Sequence, residues 1–147
     1  MAKSFVYKKF AKSANYYRTL DEIEKKKICP FCKENFKYHK KPILKKIGGW
    51  LATENSWPYK GSKVHCLLIA ERHCERFEDL TVKDFQEVAA LVSWLIKRYK
   101  IPGGGLGLRF GNPLYTGASV RHLHFQLIQP ARNGRTKKIN TVNFPIG

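Results

Sequence analysis

At 147 residues, 43% of them hydrophobic, the chain is long enough to fill one core and too short for several, so a single domain over 1–147 is expected. Twenty-eight Lys and Arg against 11 Asp and Glu give a net charge of +17 spread along the chain, which calls for an anionic partner without naming any chemistry. No segment approaches the ~20 apolar residues of a bilayer span, and MAKSFVYKKF has no apolar stretch of signal-peptide length, so a cytoplasmic protein with no membrane partner is expected. The basic, acid-poor first eighteen residues give the alternative, an organellar presequence.

Residues 1–28 form a basic, aromatic extension in which Tyr17, Leu20 and Ile23 recur at helical spacing ahead of Lys25, Lys26 and Lys27, predicting a short helix. Cys29 and Cys32 follow with two residues between them, a spacing that suits a metal better than a disulfide and points to a reducing compartment. Ile47, Trp50, Leu51, Ala52 and Thr53 read as one strand over 47–54, and Pro58, Tyr59 and Gly61 as a turn. The nearly continuous apolar run VHCLLIA at 64–70 predicts a buried central strand. Thr81 with Asp84 three residues on marks a helix start. Phe85, Val88, Ala89, Val92, Leu95, Ile96 and Tyr99 then supply one apolar face on a helix that ends near Lys100, before Pro102 and the glycines at 103–105. Leu106, Leu108 and Phe110 alternate as a strand, a loop spans 112–119, and the last strong strand runs over 120–129. The basic tail 131–147, with Arg132, Arg135, Lys137 and Lys138, is loop-like as far as Val142, and either stays free or covers a site.

Chemistry concentrates in the last strand. Alternation along a strand puts His122, His124 and Gln126 on one face and Leu123, Phe125 and Leu127 on the other. Burying three such polar groups without partners costs a few kcal/mol, so the face must meet a ligand, a metal or a polar network. Just upstream, Asn112, Gly117, Ala118 and Ser119 offer small residues that let phosphate oxygens approach the backbone, and Ser119 adds a hydroxyl donor. His124 is the candidate nucleophile toward a phosphate held there.

Over roughly residues 29–130 the chain resembles the histidine triad superfamily: CPFC at 29–32, HCLLIAERH at 65–73, the Leu-Thr start at 80 and 81, the amphipathic helix and GASVRHLHFQ at 117–126 occur in that family's order. The resemblance implies an α+β fold, a HIT-like antiparallel sheet with one main amphipathic helix and a zinc knuckle near the N-terminus, usually paired as a homodimer. Gln126 stands where the hydrolase branch usually has histidine, and so resembles the transferase branch of galactose-1-phosphate uridylyltransferase and the diadenosine polyphosphate phosphorylases. The resemblance implies that His124 attacks the α-phosphorus of a nucleotide or nucleotide sugar, that Gln126 and Ser119 hold phosphate, and that Asn112 orients the substrate, although the loop before Ser119 is one residue shorter than in typical relatives. It also implies a closed, structural Zn²⁺ site of Cys29, Cys32, His73 and His122.

His39 and Cys74 lie near enough in sequence to be alternative ligands. His65 and Cys66 read as residues of the buried strand, the resemblance implies that His65 also supports the pocket, and Trp50, Trp57, Phe77 and Trp94 read as core aromatics, of which Trp57 is the candidate for stacking on a base. Three functions compete. They are nucleotidyl transfer or phosphorolysis through a His124 adduct, hydrolysis of dinucleoside polyphosphates or nucleotide sugars through the same adduct, and RNA or DNA binding by the +17 surface with little or no catalysis.

Overall fold

The computed structural model describes residues 4–147; the first three residues of the basic extension lie outside it. The elements in chain order are α1 (Ala14–Lys26), β1 (Ile43–Ile47), β2 (Trp50–Glu54), β3 (Ser62–Ala70), α2 (Val82–Tyr99), β4 (Gly105–Leu108), the four-residue α3 (Pro113–Thr116) and β5 (His124–Pro130). All five strands join one antiparallel sheet in the order β1-β2-β3-β5-β4. The architecture is the α+β, HIT-like one expected. Among the described residues no helix is long and apolar enough to cross a membrane.

β3 sits in the middle of the sheet and is covered on both faces, which is why VHCLLIA is apolar at nearly every position. One face carries Val64, Cys66, Leu68 and Ala70 of β3 with Trp50, Ala52, Phe125 and Leu127, packed under Val88, Leu91 and Leu95 of α2. The other face carries His65, Leu67 and Ile69, and Leu67 and Ile69 meet Leu51, Phe31 and Phe36 from the segment after α1. The sheet face opposite α2 is therefore covered by the segment after α1.

α2 starts where Thr81 and Asp84 close a reciprocal capping box. Asp84 also accepts from Trp50 Nε1 (2.8 Å) and from both terminal nitrogens of Arg72 (2.7 and 2.8 Å), tying the helix start to β2 and to the turn after β3. The buried stripe is Val88, Leu91 and Leu95; Phe85 and Ile96 on the expected face are about 40% exposed, so the stripe is turned from the expected one and includes Leu91. The expected 47–54 strand is instead the second arm of a hairpin, whose turn needs Gly48 at φ 55°. Phe77, expected in the core, is 45% exposed.

Candidate functional site

β5 opens at His124, not at 120 as expected. His124 and Gln126 do share a face, opposite Phe125 and Leu127 in the core under α2. His122 lies before the strand and turns to a different neighbourhood, so the three polar groups form two sites.

In the first site, His124 Nδ1 lies 2.7 Å from the carbonyl of His122. A carbonyl only accepts, so Nδ1 carries the proton and Nε2 keeps its lone pair, with no hydrogen-bond partner among the described residues. Burial drives the imidazole down to about 4, opposed by the bond to His122 and reinforced by the nearby Arg109 charge and by His65. The ring is neutral at pH 7, and Phe31 meets it edge-on with centroids 5.1 Å apart.

Gln126, 4% exposed, has its orientation set by His65. The backbone N–H of Tyr59 donates to His65 Nδ1 at 3.0 Å, which leaves Nε2 as the protonated nitrogen that donates to Gln126 Oε1 at 2.9 Å. With its oxygen engaged, the Gln126 amide presents its NH₂ as the remaining polar group. His65 thus does more than fill the strand: it meets the pocket through Gln126.

Ser119 lines the same pocket, and its hydroxyl is 2.6 Å from the phenol of Tyr16 on α1, which stacks on Trp57 with centroids 5.2 Å apart. Burial raises the Tyr16 phenol to about 12, with the Ser119 hydrogen bond opposing, so it stays an O–H group. Ala118 is buried beside Ser119. The loop before them differs from expectation because 113–116 winds into α3: Asn112 caps it through Leu114 N (3.0 Å), and Gly117 ends it at φ 66° with its N–H on Pro113 O (2.9 Å). Ala118 N donates to Thr116 Oγ1 at 3.3 Å. Asn112 is exposed and does not line the pocket, and the amides of 117 and 118 donate within the turn, while Ala118 and Ser119 line the pocket.

Sequence reasoning missed Tyr16 and Arg109. Tyr16 reaches the pocket from 103 residues before its partner, Arg109 enters it from the end of β4, and neither sits in a local pattern. Together with Trp57 and Phe31 they close the space in front of His124 to about 80 Å³. Small-molecule pockets commonly hold ~300 Å³ or more, so a nucleotide requires the cover to move.

The second site is the Cys29, Cys32, His73 and His122 cluster, whose ligand atoms all lie within 4.8 Å of one another. Cys29 Sγ is 3.3 Å and Cys32 Sγ 3.9 Å from His122 Nδ1, and Cys32 Sγ is 3.5 Å from His73 Nδ1. Sulfur and nitrogen bound to one tetrahedral Zn²⁺ stand ~3.6 Å apart, so the spacing fits a single ion. Both histidines aim Nδ1 inward while Nε2 is engaged outside, His122 with Ala70 O at 2.6 Å and His73 with Glu75 Oε1 at 3.0 Å, the outer hydrogen bonds that orient metal-binding imidazoles. Burial lifts the Cys29 thiol to about 12, so holding it as thiolate requires a cation. His39 instead bonds Thr53 Oγ1 at 2.7 Å, and Cys74 is buried in the core under α2; neither joins the cluster.

This is the fold of the histidine triad proteins. Among solved structures the chain superposes on a histidine triad nucleotide-binding protein from Candida albicans (19% identity, 80% of this chain and 83% of that one, TM-score 0.59). It also superposes on a HIT family hydrolase from Clostridium thermocellum (21%, 72% and 93%, TM-score 0.54) and a zinc-bound histidine triad family protein from Mycobacterium smegmatis (18%, 75% and 79%, TM-score 0.55). No protein-family model and no curated protein matches the chain by sequence.

Proposed function

We propose that the chain is a nucleotidyltransferase or nucleotide phosphorylase that works through a covalent nucleotidyl-histidine on His124. The observation that carries this reading is the tautomer: Nδ1–H is committed to the His122 carbonyl, and Nε2 is neutral, without a hydrogen-bond partner among the described residues, and on the pocket side of β5 beside Gln126 and Ser119. In the first step Nε2 attacks the α-phosphorus; the P–N bond forms, the bond to the leaving phosphate or sugar phosphate breaks, and that oxygen keeps the electron pair. In the second, an acceptor oxygen attacks the same phosphorus, the P–N bond breaks and its electrons return to Nε2. Gln126 NH₂ and the Ser119 hydroxyl donate to the phosphoryl oxygens. A neutral amide at 126 neither gains nor loses a proton during turnover, which favours an adduct that waits for an acceptor over one rapidly hydrolysed.

Cys29, Cys32, His73 and His122 hold a structural Zn²⁺ in this reading, and the ion supplies no step of the reaction. Its role is positional, since Phe31 of the same knuckle packs against His124. The +17 charge favours phosphate-rich substrates and extends to RNA or DNA as partners whose binding falls steeply with salt. A homodimer in a reducing, cytoplasmic setting completes the proposal.

Hydrolysis is the second reading, favoured by the likeness to the Clostridium thermocellum hydrolase. Turnover of α-labelled diadenosine tetraphosphate and UDP-glucose with and without inorganic phosphate or sugar phosphate separates the two. Transfer requires that the label appear in the nucleoside diphosphate formed with phosphate, or in the nucleotide sugar formed with sugar phosphate, and that turnover rise with acceptor; label found only in the nucleoside monophosphate, at a rate indifferent to acceptor, assigns hydrolysis.

A further inference from the structure

Arg109 follows the last residue of β4 and lines the pocket with His124, Gln126 and Ser119. It is only 8% exposed. Arg72, Arg76 and Arg121 are more exposed, and each has a carboxylate partner, whereas Arg109 has none among the described residues. Its partners are neutral. Nε and Nη2 both donate to the carbonyl of Pro145, at 2.9 and 2.6 Å, Nη1 donates to the Tyr59 hydroxyl at 2.9 Å, and the guanidinium lies over the Phe144 ring, 4.1 Å from its centroid.

A buried guanidinium ordinarily has a counter-charge, and its fork is shaped to donate two parallel hydrogen bonds to two oxygens of a carboxylate or phosphate. Here both donors converge on one uncharged oxygen, so the fork is occupied but not neutralised. Among the described residues, the bonds from Arg109 to Pro145 are the only hydrogen bonds joining 141–147 to the rest of the chain; packing supplies the remaining contacts. Phe144 rests on Gly107, where an added Cβ would fall 2.8 Å from the ring, so the tail follows β4 up to the pocket.

We propose that Arg109 is the phosphate-binding cation of the His124 pocket, and that the Pro145 carbonyl holds its fork until a phosphate of the substrate replaces it. This rests on the phosphate-bearing substrate proposed above and adds a residue and a gate to that site. Exchange of the carbonyl for a phosphate lifts 142–147 away and neutralises the buried charge.

The test is an NMR titration of the full-length wild-type chain, following the Arg109 Nε–Hε resonance while inorganic phosphate or AMP is added at constant ionic strength, with chloride as control. The resonance should move with both phosphate probes and not with chloride. AMP affinity should fall by about tenfold or more in Arg109→Gln, recover in part in Arg109→Lys, and rise in a chain ending at residue 141. A resonance that stays put under millimolar phosphate and AMP, or an Arg109→Gln protein that is folded and binds AMP as the wild type does, overturns the proposal. Its failure is separable from that of the catalytic reading: adduct formation at His124 with Arg109 indifferent to phosphate sinks only this inference, and phosphate binding through Arg109 without any adduct sinks only covalent catalysis.

Discussion

A His65→Gln substitution should flatten the acid side of the stability profile. His65 is 5% exposed, and burial lowers its imidazole to about 4, with the bond to Gln126 opposing and the Arg109 charge adding to the shift. The geometry agrees, because a second proton on Nδ1 would face the Tyr59 N–H, which can only donate. The unfolded chain takes up this proton near ~6.5. As the pH falls from there toward 4 the unfolded state binds more protons than the folded one, so stability is full above the unfolded value and lost through that window. With folded and unfolded values near 4 and ~6.5, the loss between pH 7 and pH 5 is about 2 kcal/mol. Glutamine keeps a donor for Gln126 and an acceptor for Tyr59 but does not titrate. Urea denaturation of both proteins at pH 7 and pH 5 is the assay; at ~2 kcal/mol/M the wild-type midpoint should drop about 1 M further than that of the variant. His122 and His124 titrate in both proteins and cancel from the difference. Equal drops in the two proteins would refute the assignment of His65 as a neutral hinge between Tyr59 and Gln126.

Further outcomes follow from the metal cluster and the start of α2. The purified protein should carry one equivalent of zinc by elemental analysis, and chelation or Cys32→Ser should lower the melting temperature by about 5–10 °C. Because none of the four ligands belongs to the core under α2, helical signal should persist while hydrogen exchange rises in 28–38; global unfolding on chelation would contradict this division. Asp84→Ala removes the acceptor shared by Trp50, Arg72 and Thr81 and should cost about 3 kcal/mol in denaturant titrations, whereas a loss below ~1 kcal/mol would show the network contributes little.

The parts of this molecule that were legible in the sequence are those written in local pattern. VHCLLIA gives the central strand because β3 is covered on both faces, and Thr81 with Asp84 gives the start of α2 because a capping box is a three-residue signal. Family resemblance, not spacing, brought His73 and His122 to Cys29 and Cys32, and the fold places those four side chains together. Legibility failed where long-range packing decides. Tyr16 reaches Ser119, and Arg109 reaches Pro145, across intervals that carry no periodic signal. Gly48 and Gly49 did announce a hairpin between two short strands, and a reading that weighed the turn above the apolar run would have found β1. Asn112 was drawn toward the substrate by its place in the motif, but the Pro after it starts a helix turn that takes its side chain as a cap.

The central claim is that His124 Nε2 becomes covalently bonded to phosphorus. Intact-mass and peptide mass spectrometry of the wild-type protein, quenched after brief incubation with diadenosine tetraphosphate or UDP-glucose, tests it directly. The account predicts an acid-labile nucleoside monophosphate adduct mapped to His124, absent in His124→Ala and still formed in His39→Ala. An adduct on any other residue, or turnover of these donors by His124→Ala at the wild-type rate, would contradict it.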